Sequence, residues 1–491
     1  MRSRTSIFLI LSAVVYMFGI TGVNTLAQAA DPPPIVWADT IDQGYEDKAY
    51  GVATDGLGNI IVTGRAYIGG NYDFFTVKYD SNGTILWADT VDMGDLDYAY
   101  GVATDGSGNI IVTGTSWIGG TYDFLTVKYD SNGTILWTDI VNPGGRSDCA
   151  YAVTTDSYDN IIVTGTAEIG MNNSDFYTVK YEPGGSVLWK DTINVGAWDR
   201  PLGIATDGSD NIIIAGYAYR GFANPSYDYY IIKYDSNGTV VWTDTINLGE
   251  HEYGLAVATD ASDNFIVTGK AQSEPYGPHN FYTVKYNKYC IKQWSDLIDP
   301  GEDDEALGVA TDVSGNIIVT GTAEIGGNND YYTVKYDPNG IIQWTDIIDL
   351  GNDEEAYAVA IDVSGSIIVT GAARIGGNYD YYTVKYAPDP SFIEVTPEVI
   401  TIDLSDISIT PNPSLRNVYI SYRVVSQKMI PVSLEVYDLL GRRMVTLVDK
   451  QHKGGTYRVN WDTKEFSQGI YFLKIKSGDY ENVKKITLLS G

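Results

Sequence analysis

Carboxylates recur in this 491-residue chain just ahead of short apolar runs, at Asp97, Glu252, Asp304, Glu305, Glu354 and Glu355. Carboxylates that close repel one another unless a cation intervenes, and hard oxygen ligands suit Ca2+. A pair of them could instead serve glycoside cleavage, with retaining sites needing about 5–5.5 Å between carboxyls and inverting sites about 6.5–9.5 Å. The same residues also read as the solvated surface of an acidic protein. A second group is aromatic and basic: Tyr67, Trp117, Tyr219, Arg220, Phe222, Tyr276 and His279. Rings with polar edges, set beside carboxylates, form a seat for a glycan, a peptide or a cationic partner.

Other chemistries lack their residues. His251, His279 and His452 are the only histidines, and Cys149 and Cys290 form no CxxC pair, so no zinc cluster is spelled out. No nucleophile elbow, phosphate-binding loop or dinucleotide fingerprint occurs. No catalytic residue is assigned, and a binding role is expected ahead of an enzymatic one. Charge narrows the partners further. The chain has 32 basic and 63 acidic side chains, and residues 31–400 hold 17 and 54 of these. Such a surface repels nucleic acid and attracts cations or basic partners.

The elements that must position these residues repeat. The phrase YDSNGTILW stands at 79–87 and again at 129–137, and is paraphrased from Tyr234 and Tyr336. It belongs to a unit of 50 to 53 residues with four short Val-, Ile-, Thr- and Tyr-rich runs bounded by Gly, Asn, Asp or Ser. These runs predict four strands per unit, here a to d in chain order. NIIV in strand b reads as buried on both faces, and TVKYD in strand c as having one polar edge. The a–b turn carries Asn59, Asn109, Asn160, Asn211, Asn264, Asn316 and Ser366, and strand d carries Trp37, Trp87, Trp137, Trp189, Trp242, Trp294 and Trp344. The two sets are out of phase, since a Trp precedes the first a–b–c set and none follows the last.

A closed ring resolves that mismatch. The expected fold is all-β: a seven-bladed β-propeller (31–388) whose N-terminal strand completes the last blade, followed by a small immunoglobulin-like β-sandwich (408–491) after a proline-bearing linker (389–407). An open β-solenoid is the alternative, but it needs atypical end repeats. Strand a is innermost, because the closing strand is d and closure is made at the rim. The d–a and b–c connections then share one face, where the acidic runs and the longer loops of 219–226 and 272–279 lie. The six carboxylates are expected to crowd the channel mouth there. The seven Trp are expected to wedge between blades. Cys149 and Cys290 fall on opposite faces and are expected to stay unbridged.

At the N-terminus, Arg2 and Arg4 precede an apolar run from Ile7 to Gly19 and an Ala27-Gln28-Ala29 cleavage site. Residues 1–29 therefore read as a signal peptide, and no later stretch is long enough to span a membrane. At the other end, Pro411-Asn412-Pro413, VYDLLGRRMVTL (436–447), GGTYRVNWD (454–462), GIYFLKI (469–475) and Lys484-Lys485 resemble the C-terminal sorting domain of type IX secretion. The resemblance implies the type IX machinery as a partner and a secreted or cell-surface destination. The repeats, with their V-A-x-D-x-x-G-N-x-x-V-x-G pattern, resemble the bacterial SBBP propeller repeats, a family without one activity. The function expected is an exported binding, adhesion or scaffold module. A polysaccharide hydrolase or lyase and a surface-layer component are the alternatives.

Overall fold

The computed structural model describes residues 31–170, 173–219, 221, 226–272, 274, 277–388, 408–414, 417–424, 430–439, 441–453, 455–477 and 480–489. The expected signal peptide and linker lie outside them. Two compact units divide near residue 392.

Among the described residues, the first unit contains seven four-stranded antiparallel sheets. Blade two shows the plan: strand a Asp97–Thr104, b Ile110–Ile118, c Thr121–Tyr129 and d Ile135–Val141. Each strand a lies against the first strands of both neighbours, so strand a lines the axis. Blade seven takes strands a to c from Glu354–Ile361, Ile367–Ile375 and Asn378–Tyr386, and its strand d from Ile35–Ile41. Ala38 pairs with Val384 and Asp39 with Thr383, so the ring closes between the two ends of the repeat array. Closure leaves no blade with a missing outer strand.

Strand b opens with an apolar run, and Ile60, Ile61 and Val62 are wholly buried. Strand c differs from the reading of TVKYD, for Thr76 and Lys78 are buried too. A buried ammonium requires a partner, and each blade supplies one. Lys78 pairs with Asp55 at 3.0 Å, Lys128 with Asp105 at 2.8 Å and Lys385 with Asp362 at 2.7 Å. The same aspartates shape the a–b turn, where Asp105 Oδ1 accepts the amides of Ser107 and Asn109. The polar edge belongs instead to strand d, whose residues alternate toward solvent.

The seven Trp sit at the junctions between blades. Trp87 donates its indole N–H to Ser131 O of the next blade, and Lys78 donates to the same carbonyl. Ser131 belongs to a c–d turn closed by Gly133 at φ 88°. A Cβ on Gly133 would meet the Trp87 ring at 2.9 Å. Glycine is thus required there twice, by backbone angle and by contact. Blade five has Cys290 in that place at φ 63°, and Trp242 meets Tyr286 at 66°, whereas Trp87 meets Tyr129 at 33°. Cys149 opens strand a of blade three, and neither cysteine is bridged.

The second unit is a sandwich of two antiparallel sheets. One holds Ser408–Thr410, Asn417–Val424 and Gly455–Asp462; the other holds Arg443–His452, Ile430–Tyr437, Gly469–Ser477 and Tyr480–Leu488. Ile420, Leu434, Trp461, Leu473 and Ile486 meet in its core. Among the described residues no helix is long and apolar enough to cross a membrane.

Candidate ligand site at the channel mouth

Strand a alternates from its opening carboxylate and then bulges at the fourth residue in every blade, and that pattern builds the site. Its opening carboxylate is buried, the next residue faces the axis, a small residue follows, and the fourth faces the axis again. The upper axial tier is Lys48, Tyr98, Cys149, Arg200, Tyr253, Glu305 and Glu355. The lower tier is Tyr50, Tyr100, Tyr151, Leu202, Leu255, Leu307 and Tyr357.

This arrangement separates the six carboxylates expected at the mouth. Asp97, Glu252, Asp304 and Glu354 are 0% exposed, as are Asp47, Asp148 and Asp199 at the same position of other blades. They turn into the sheet and hold the d–a loop, with Met93 N donating to Asp97 at 2.7 Å and Leu350 N to Glu354 at 3.0 Å. Burial pushes Asp47, Asp97, Asp199 and Glu354 up, Asp148 to about 6 and Asp304 to about 7, although loop amides pull the other way. Glu305 and Glu355 do face the axis. Each is taken by a lysine, Glu305 by Lys270 and Glu355 by Lys48 at 2.5 Å. The mouth is therefore a mixed wall of charges, not an acidic ring, because one residue of strand period turns the opening carboxylate inward.

Tyrosines dominate that wall. Tyr357, Tyr50, Tyr100 and Tyr151 form a chain of ring contacts at 5.0, 5.3 and 5.5 Å. Arg65 lies over Tyr72 and Tyr98 at 4.6 and 5.2 Å, and Lys270 over Tyr253 at 5.2 Å. Burial pushes Tyr50 and Tyr253 up to about 12, so their hydroxyls stay neutral donors. Arg200 is exposed, lies 5.9 Å from the Tyr151 ring, and is paired with no carboxylate among the described residues.

The aromatic residues singled out in the sequence extend the wall outward as two arcs. Tyr67 packs on Tyr45 at 4.8 Å and on Tyr72 at 5.3 Å, and Trp117 packs on Tyr122 at 4.8 Å, which meets Tyr98. Tyr219 packs on Trp198 and Tyr227, both at 5.2 Å. Tyr227 leads to Tyr253, which His279 also touches. His279 Nδ1 lies 2.9 Å from Asp303, and burial and Lys270 lower its affinity for a proton. Arg220, Phe222 and Tyr276 lie outside the described residues. Sequence reading missed Tyr50, Tyr98, Tyr100, Tyr151, Arg200 and Tyr357. Their signal was period two within strand a, applied to a strand already read as innermost.

Hard oxygen ligands do gather, at the rim of this face. Asp42, Asp47 and Asp380 form one group, Asp73, Asp92 and Asp97 a second, and Asp330, Asp349 and Glu354 a third. In each, one carboxylate oxygen per residue lies within 4.8 Å of the others, a spacing that can coordinate a divalent cation such as Ca2+.

Comparison with known proteins fits both units. Residues 58–85, 106–135, 208–240 and 314–340 match a β-propeller domain of unknown function, DUF5122, and residues 408–488 match the secretion system C-terminal sorting domain. The chain is a repeat propeller carrying a type IX sorting domain. That domain supports export to the cell surface or beyond. An uncharacterized WD repeat-containing protein of Acanthamoeba polyphaga mimivirus, L264, is 28% identical to the chain over 152 residues. The match covers 27% of this chain and 10% of the relative's length. Among solved structures, Sqt1 from Chaetomium thermophilum is similar at a TM-score of 0.43 and 9% identity, over 73% of this chain and 100% of that one. A PL25 ulvan lyase is similar at 0.44 and 11%, over 72% and 96%. Neither likeness carries an activity with it.

Proposed function

We propose that the chain is an exported surface-binding module whose propeller mouth takes a glycan, an acidic group of which reaches Arg200 as a local cationic spot on an otherwise anionic surface. The carrying observation is Arg200, an exposed residue whose guanidinium meets Tyr217 and has no carboxylate partner among the described residues, beside a wall of neutral tyrosines. Tyrosine faces stack on the apolar faces of sugar rings, their hydroxyls bond to sugar hydroxyls, and a guanidinium receives carboxylate or sulfate. The test is binding of the full mature chain to immobilised uronic-acid, sulfated and neutral polysaccharides. Acidic glycans should be retained, with affinity falling at least about tenfold in Arg200→Ala, the size of one charge-assisted contact. Failure to retain any acidic glycan, or an Arg200→Ala variant that binds as wild type, overturns the reading.

A hydrolase or lyase reading has one observation in its favour. Glu305 and Glu355 line the same cavity, of about 360 Å³, together with Asp303 and Tyr357. Binding is preferred because a lysine engages each of the two glutamates. Shortening of an acidic polysaccharide by wild type and its loss in Glu305→Gln would reverse that preference.

A further inference from the structure

The rim carboxylates occupy a motif repeated around the ring. Each junction presents a residue near the start of strand c, the first residue beyond strand d, and the acidic residue opening the next strand a. Beyond strand d, blades two, three and four carry Asn142, Asn194 and Asn247. There the amide is a donor: Asn142 Nδ2 bonds Asp123 at 2.8 Å, and Asn247 Nδ2 bonds Asp228 at 2.7 Å. Blades one, five, six and seven carry Asp92, Asp299, Asp349 and Asp42 in the same place, and because blade five has Asn280 on strand c, three of the four gather a trio of carboxylates. The substitution removes a donor and adds a charge beside two carboxylates that are already buried.

Two of these groups hold buried oxygens with nothing to bond. Asp73 is 2% exposed and Glu354 0% exposed, and among the described residues neither Asp73 Oδ1 nor Glu354 Oε1 has a hydrogen-bond partner. An unpaired buried carboxylate oxygen is costly, and a bound cation removes that cost. Oxygens about 2.4 Å from one Ca2+ lie at most about 4.8 Å apart, the limit these groups meet. Asp92, Asp349 and Asp42 are exposed, which leaves each group open to solvent for entry.

We propose that these three groups are Ca2+ sites that tie blades six, seven, one and two together across the ring closure. The three junctions are consecutive, and the middle one joins Asp42, just past the N-terminal closing strand, to Asp380 on the strand it pairs with. This is the one blade assembled from both ends of the array, so its outer strand is held by hydrogen bonds and packing without a c–d turn. A cation shared by Asp42, Asp380 and Asp47 fastens that strand to both of its neighbours. The proposal does not depend on what occupies the channel mouth.

The test uses the full mature chain stripped with chelator, then titrated with Ca2+ alone in a calorimeter and melted with and without it. Wild type should bind three ions, and its melting temperature should rise by roughly 5–10 °C at saturating Ca2+. The variant Asp42→Asn/Asp92→Asn/Asp349→Asn installs the amide that blades two to four already use. It should fold in chelator, melt no lower than stripped wild type, and ignore Ca2+. Wild type showing neither binding heat nor a melting shift in millimolar Ca2+ overturns the proposal. So does a triple variant that responds to Ca2+ as wild type does.

Discussion

At the scale of single residues, the repeat is governed by close approaches. Gly133 has a left-handed backbone, and a ring of the preceding blade stands where its side chain would be. Gly133→Ala should therefore destabilise the propeller by about 2 kcal/mol, read from chemical denaturation followed by Trp fluorescence. Cys290 is the natural experiment in reverse. It holds φ 63° with a side chain, beside a Trp242 turned away from the common arrangement. Cys290→Gly should stabilise by about 1 kcal/mol in the same assay. The Gly and Asn bounding each run were legible in the sequence; the contact of Gly133 with Trp87 was not, because the ring comes from the neighbouring blade.

At the scale of elements, each blade is pinned by one buried lysine. Lys128 reaches from strand c to Asp105 in the a–b turn, and to Pro183 O in the next blade. Burial pushes the Asp105 carboxyl up, but Lys128, Asn109 and the turn amides outweigh it and hold it below the usual carboxylate range. Lys128→Met strands that carboxylate and should cost about 3–5 kcal/mol. Adding Asp105→Asn should recover part of the loss, measured as a double-mutant cycle of unfolding free energies. The regular Asn, or Ser366 in blade seven, announced the a–b turn in the sequence. The ion pair of Lys128 with Asp105 stayed hidden because TVKYD looks like a strand with a wet edge until both faces are covered.

For the whole molecule, two families of carboxyl pull stability in opposite directions with pH. Asp55, Asp105, Asp156, Asp207 and Asp260 are lowered in the fold, so their stabilisation is present above their unfolded value and lost as pH falls through the folded one. Asp73, Asp148, Asp330 and Asp380 at about 6 and Asp304 at about 7 are raised, chiefly by burial. Between about pH 4 and 7 the folded state holds more of their protons than the unfolded chain does, so stability falls as pH rises through that window. In chelator the melting temperature should peak near pH 4–5 and be lower at pH 7.5. Saturating Ca2+ should raise the pH 7.5 value most, since it replaces the protons at the three rim groups.

Local grammar was enough for the architecture. Strand period, turn residues and the out-of-phase Trp and Asn sets prescribe seven blades and a borrowed strand, because hydrogen-bonded sheets leave few ways to use such a unit. The C-terminal words likewise announced a sorting domain. Which carboxylate faces the axis was decided only by tertiary structure, since it turns on a single step of strand alternation around a centre that no one blade contains. Arg200 and the tyrosine wall emerge from seven distant segments meeting at that centre. The rim trios are assembled across blade junctions, and one of them only where the two ends of the ring meet.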